Sequence, residues 1–272
     1  MKFASLSIVL FALISVSAVP REGLRQRGAP PPRSTPEGLA LLHTVQDALG
    51  GANRIAAIRD YDEIIRAEAW DAPGMSLGEV RKRTRWMQIP SVLRLDQRGP
   101  RGTYVLYLDG GSRTGWELLP DLTSADPFKT TGRRDTLAGG ELAFAIAYLE
   151  GFELNDWLAD RRGYTVTSPR PNVLRIEHEG HANDLTIDPT TRLPVSSAGV
   201  SLADPEHPVS AELRFVGWQN VSGVRFATHR INLHSGVKRG EVTTESIRIN
   251  SGLSQSELAR IPTDFLPEIV RR

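Results

Sequence analysis

The sequence predicts a mainly β protein of the α+β kind: one large curved antiparallel sheet, or incomplete β-barrel, with helices covering its concave side. Three observations carry this prediction. Apolar and polar residues alternate at every second position in many short segments between residues 79 and 250, and turn residues separate those segments. One further segment, Leu137–Phe152, is apolar nearly all round. One-sided alternation belongs to antiparallel sheets with one dry face, because parallel strands sandwiched between helices are apolar on both faces.

Taken in chain order, Lys2 precedes an uncharged run from Leu6 to Val16, and Val16-Ser17-Ala18 offers a small-residue cleavage site. The run is shorter than the roughly 20 residues a membrane-spanning helix needs. Residues 1–18 therefore read as a signal peptide, and the mature chain is expected to be periplasmic or secreted. No cysteine occurs, which excludes an acylated N-terminal cysteine, disulfides and thiol catalysis. Residues 19–35, with Pro20, Pro30, Pro31 and Pro32 and the basic Arg21, Arg25, Arg27 and Arg33, read as an extended tether. A transient contact with anionic lipid headgroups is the alternative to a plain spacer.

Residues 36–272 show one composition regime and no repeat, so a single domain is expected. The first helix spans Pro36–Leu49, with Thr35 as N-cap, Pro36 at the first helical position and Gly50-Gly51 as the stop. Leu39, Leu42, Val45 and Leu49 form its apolar stripe. In the strand at Glu79–Ile89, Arg81, Arg83 and Arg85 fall on one face, and Val80, Thr84 and Trp86 share the other with Lys82. Three arginines in a row predict a solvent face. Alternation recurs at Leu93 and Leu95, Leu174 and Ile176, Leu185 and Ile187, Leu213 and Phe215, and Ile247 and Ile249. Turns are predicted at Asp109-Gly110-Gly111, Asp188-Pro189, Ser222-Gly223 and Ser235-Gly236.

In Leu137–Phe152 only Glu141 and Glu150 carry charge, so a helix there has almost no face suited to water and must be covered on several sides. A sheet that closes over it only partly leaves an apolar cleft. The expected lining is Trp70, Trp86, Leu93, Leu95, Leu106, Trp116, Leu213 and Phe215 from strands and Leu142, Ile146, Leu149 and Phe152 from the helix. An acyl chain gains roughly 0.8 kcal/mol per buried methylene, so a few large side chains suffice to hold a lipid without polar contacts. Gly139-Gly140 is a candidate hinge for a lid, with an ordinary loop as the alternative.

The order of signal peptide, amphipathic helix, antiparallel strands, apolar helical insert and further strands resembles the LolA/LolB-like outer-membrane lipoprotein-sorting proteins. So do the segment Leu185–Pro194, the hairpin Val221–His229 and Ile247-Arg248-Ile249-Asn250. The resemblance covers most of residues 36–265. It implies an incomplete barrel lidded by helices, whose cavity holds the acyl chains of a lipoprotein, and an arginine tethering lid to barrel. Arg66 or one of Arg81, Arg83 and Arg85 is the candidate for that latch. The expected partners are thus an acyl chain, a lipid or a lipoprotein, with another envelope protein as a further candidate; no cofactor is expected.

Charge excludes other classes. Without residues 1–18 the chain has 32 basic and 32 acidic residues, and residues 36–272 have 28 and 31, no field for nucleic-acid backbones. His178-Glu179-Gly180-His181 is the only close His/Glu cluster, and its spacing is not the His-Glu-x-x-His of helical zinc sites. Metal-assisted hydrolysis through His178 and His181 is the enzymatic alternative, and exposed turn histidines are the simpler reading. Gly110-Gly111-Ser112-Arg113-Thr114 lacks the last glycine of a nucleophile elbow. A third reading is an envelope interaction module with a filled core.

Overall fold

A computed structural model describes residues 33–260 apart from 73–74, 89, 100–101, 122, 124–129, 151–152, 179–180 and 202–208. The expected signal peptide, most of the tether and Phe152 lie outside the described residues. Thirteen strands are present among those described: β1 (Asp60–Ala72), β2 (Met75–Met87), β3 (Val92–Gly99), β4 (Gly102–Asp109), β5 (Thr114–Pro120), β6 (Thr130–Thr136), β7 (Thr165–Arg170), β8 (Val173–His178), β9 (His181–Ile187), β10 (Pro194–Ser201), β11 (Val209–Val221), β12 (Val224–His234) and β13 (Val237–Ile249). They form an antiparallel sheet in the order β6-β5-β4-β3-β2-β1-β13-β12-β11-β10-β9-β8-β7, which is not closed into a barrel. The helices are α1 (Pro36–Leu49), α2 (Ala52–Ala56), α3 (Gly139–Glu150), α4 (Glu153–Trp157) and α5 (Gln255–Ala259). No described helix is long and apolar enough to cross a membrane.

Helix α1 begins and ends where its capping residues dictate. The Thr35 side chain accepts from the Gly38 amide, Pro36 supplies the preset φ of a first turn, and Gly50 stops the helix at φ 123°. The strand connections use left-handed residues: Ser222 and Gly223 at φ 53° and 87°, Ser235 and Gly236 at 48° and 79°, the pattern of two-residue hairpin turns.

The chain divides into two units. The first comprises residues up to Ala57 and Glu150–Arg239. Here α1 buries Leu42, Val45 and Leu49 and crosses β7 so closely that a Cβ at residue 38 would lie 2.6 Å from Thr167 Cα. Glycine at that position is therefore a packing requirement. Gln46, buried on the same helix, donates through Nε2 to the Trp157 carbonyl and to Asp160 Oδ1, both at 2.9 Å. The Trp157 ring in turn stands 6.4 Å from Trp218 and 5.7 Å from Phe226. Thr35 N donates to the Val166 carbonyl, which ties the end of the tether to β7.

The second unit comprises Ile58–Leu149 and the chain from Gly240. It holds β1 to β6, most of β13, α3 up to Leu149, and α5. Helix α5 carries a capping box in which Ser254 and Glu257 satisfy each other's backbone amides.

Candidate functional site

Directly opposite residues in an antiparallel pair share a face, so the register sorts the strands of the second unit into two surfaces. One carries Trp86, Leu93 and Leu108 in a row, then Thr84, Leu95 and Leu106, then Lys82, Gln97 and Tyr104. Gly115 on β5 faces Leu108, and Glu117 faces Leu106. Helix α3 and the residues leading into it cover this surface: a Cβ at Gly115 would meet Cδ1 of Leu137, just before the helix, at 3.0 Å, one at Gly110 would meet Leu149 Cδ2 at 3.0 Å, and Glu141 acts electrostatically on Tyr104 and Glu117.

Of the residues expected to line a cleft, Trp86, Leu93, Leu95 and Leu106 are buried on this face, and Ile146 and Leu149 are buried on α3. Leu142 is half-buried one turn earlier, and Trp70 is half-buried where the β1–β2 register becomes irregular. Trp116 is a correction. It pairs with Tyr107, opposite Arg94, and so lies on the other surface, in a packed cluster with Val92, Val105, Leu118 and Leu258 of α5. Alternation shows which residues of one strand share a face but not which face a neighbouring strand presents. Leu213 and Phe215 belong to the first unit, where Leu213 faces Ser197 and Asn232 and Phe215 faces Arg230. Both are half-buried, and the Phe215 ring lies 5.7 Å from that of Trp218.

The sequence reading missed the polar row on the α3 face. Lys82 was visible on the Trp86 side of β2, but its opposition to Gln97 and Tyr104 depends on strand pairing. Tyr104 OH donates to Glu117 Oε2 at 2.9 Å, and Thr244 Oγ1 to Glu63 Oε1 at 2.7 Å. Burial raises the Glu117 pKa, and Glu141 and Asp135 raise it further against the opposing Tyr104 hydrogen bond. Burial likewise holds the Tyr104 phenol well above its ordinary range, with Glu117 adding to it, so Tyr104 stays a neutral donor at physiological pH. Folding thus makes ionised Glu117 costly. Glu117→Gln, which keeps an acceptor for Tyr104, is expected to raise the thermal midpoint at pH 7 by about 2–4 °C. The gain shrinks as pH falls through the native Glu117 pKa toward the unfolded value, because both side chains are then neutral; melts from pH 4 to 8 measure it.

The opposite surface overturns a second expectation. Arg81, Arg83 and Arg85 do not form a solvent face: Arg83 is buried, the other two are half-buried, and all three are ion-paired across strands. Arg83 holds Asp62 through Nε–Oδ1 at 2.8 Å and Nη2–Oδ2 at 2.9 Å, and Arg248 reaches the same Oδ2 at 2.6 Å. Asp96, fully buried, accepts from both Arg85 and Arg94, and Arg81 pairs with Glu245. Arg94 also donates to the carbonyls of Leu258 and Arg260, which pins α5 to β3. Alternation within one strand cannot reveal acids on other strands, whether next to it, as Asp62 and Asp96 are, or two strands away, as Glu245 is. All three lie on the surface opposite the one that α3 covers, and Arg66 is exposed with Glu79 at 3.4 Å.

His178 and His181 are register partners at the end of the β8–β9 hairpin, and the His178 ring stacks on Tyr164 at 4.1 Å. Among the described residues no group of three or more His, Cys, Asp or Glu side chains could hold a metal ion.

No protein-family model matches the sequence, and no curated protein matches it. Solved structures do match. A domain described as that of an outer membrane lipoprotein-sorting protein, from Vibrio parahaemolyticus, superposes with a TM-score of 0.50 at 14% identity, over 82% of this chain and 96% of that one. A DUF1329 family protein from Desulfovibrio piger gives 0.51 at 10% identity, over 82% and 98%. A LolA superfamily protein from Nitrosomonas europaea gives 0.46 at 12% identity, over 82% and 97%. The first two, matched over nearly their whole length, define the architecture. The chain shares the antiparallel fold of these two structures, one of them described as a lipoprotein-sorting domain, in line with the resemblance read from its sequence.

Proposed function

We propose that this protein is an exported, non-enzymatic carrier that holds an acyl chain, free or as the lipid of a lipoprotein, against the α3 face of its second unit. The observation that carries this reading is helix α3 itself. Its sequence is nearly uncharged, its Ala145, Ile146 and Leu149 are buried, and Leu149 reaches Gly110, beside the end of the face that carries Trp86, Leu93, Leu95 and Leu106. Methylenes bind such a surface through apolar burial alone, which suits a carrier that must also release its cargo. The lipoprotein-sorting description of a structural neighbour supports the same class of ligand. Hydrolysis through His178 has no comparable support, because that ring is engaged with Tyr164.

The test is binding of the apolar dye N-phenyl-1-naphthylamine, with native mass spectrometry and lipid extraction of freshly purified protein. Wild-type protein is expected to enhance the dye's fluorescence and to carry an extractable acyl species. Leu142→Asp, at a half-buried position of α3, is expected to weaken dye binding at least tenfold, about 1.4 kcal/mol, with the far-ultraviolet circular dichroism unchanged. Unfolding of that variant would make α3 plain core, and a wild-type protein that neither binds dye nor carries lipid would end the carrier reading.

A further inference from the structure

The α3 face is graded along its strands. Trp86, Leu93 and Leu108 make its apolar end, and four residues further along β3 the row Lys82, Gln97 and Tyr104 makes a polar end, roughly 13 Å away at the usual strand rise. Lys82 and Tyr104 are each 1% exposed and Gln97 8%. Polar groups this deep are normally hydrogen-bonded, and Gln97 departs from that rule: its Oε1 is buried with no partner. An amide so placed awaits a hydroxyl or N–H from a bound molecule. The charges around it select the kind of molecule. Against Lys82 stand Glu63, on the same face, and Glu117, bonded to Tyr104, with Asp135 and Glu141 close enough to raise the Glu117 pKa. The acidic excess opposes an anionic headgroup.

Resting on the carrier reading, we propose that the Lys82–Gln97–Tyr104 row is a headgroup subsite. It takes the hydroxyl or amide of an uncharged amphiphile, such as a monoacylglycerol or an N-acyl amide, while the tail runs toward Trp86 and Leu93; fatty-acid anions are disfavoured. The subsite gives the carrier a preferred ligand orientation and a chemical filter that the apolar rows alone lack.

Displacement of N-phenyl-1-naphthylamine by 1-monododecanoylglycerol and by dodecanoate at pH 8 tests this. The glycerol ester is expected to displace the dye at about a tenfold lower concentration than dodecanoate. Gln97→Leu is expected to lower the preference for the ester over dodecanoate, each measured against the variant's own dye affinity, about fivefold, because it removes one net hydrogen bond and no apolar surface. The same substitution removes an orphaned buried amide, so the thermal midpoint is expected to hold or rise by a few degrees, which shows that the variant is folded. Equal displacement by ester and acid, or an ester preference untouched by Gln97→Leu, overturns the subsite alone and leaves a water or nothing at Gln97. Failure of wild-type protein to bind the dye overturns the carrier reading and the subsite with it.

Discussion

Replacing Asp96 by Ala is expected to cost about 3–5 kcal/mol of stability, among the largest effects of any single charge removal in this chain. The Asp96 carboxylate is wholly buried between Arg85 and Arg94, and Arg94 also holds the carbonyls of Leu258 and Arg260. Burial already lowers the Arg85 pKa, opposed by Asp96 and reinforced by Arg83, so the guanidinium depends on this carboxylate to stay charged at low cost. Without it two cations remain in a poorly hydrated place. Urea unfolding of wild type and variant measures the loss, and Glu212→Ala supplies the contrast. The Glu212–Arg214 pair is solvent-exposed, and such pairs contribute under about 1 kcal/mol. A loss below 1 kcal/mol for Asp96→Ala would show that water reaches the ladder freely. Acid has a related effect at Asp62. Burial opposes its ionisation, but the hydrogen bonds and charges of Arg83 and Arg248 prevail and lower its pKa. That contribution is complete above the unfolded carboxylate value, about pH 3.9, and is lost as pH falls through the lower native value.

Gly50→Ala is the second large effect, expected at about 4 kcal/mol or more. Two penalties combine there. Gly50 sits at φ 123°, a conformation open essentially to glycine, and a Cβ on it would lie 2.0 Å from the Gly223 carbonyl oxygen. That oxygen is backbone within the Ser222-Gly223 turn, so no rotamer change relieves the collision. Gly51→Ala separates the penalties: residue 51 is also at positive φ, 100°, but nothing lies within 4 Å of its Cβ position. It is expected to cost about 1–3 kcal/mol, the strain alone. Thermal melts of the two variants check the difference, and equal losses would mean that the α1 end moves aside from β12.

The local parts of this fold were legible before any coordinates. Thr35, Pro36 and Gly50 bound α1 because caps act within four residues, and Ser222-Gly223 and Ser235-Gly236 turn hairpins because their backbone dihedrals do. The arrangement of the site was less legible. Lys82 was placed correctly beside Trp86, yet its neighbours Gln97 and Tyr104 follow from register, which no single strand encodes. Trp116 was assigned to the wrong surface for the same reason. The arginine row misled in a different way. Its periodicity is real, but the partners of Arg83 and Arg85, Asp62 and Asp96, lie on other strands, and solvent exposure is a property of the assembled sheet.

The pairing of β1 with β13, Tyr61 beside Ile249, has a consequence for how the chain comes into being. The first strand's partner on one side is the last of the described strands in chain order, and closing so long a loop is slow. Until then the leading half has an unfinished edge. That edge of β1 therefore stays open until β13 has been made, and the pairing that covers it is among the longest-range contacts of the sheet.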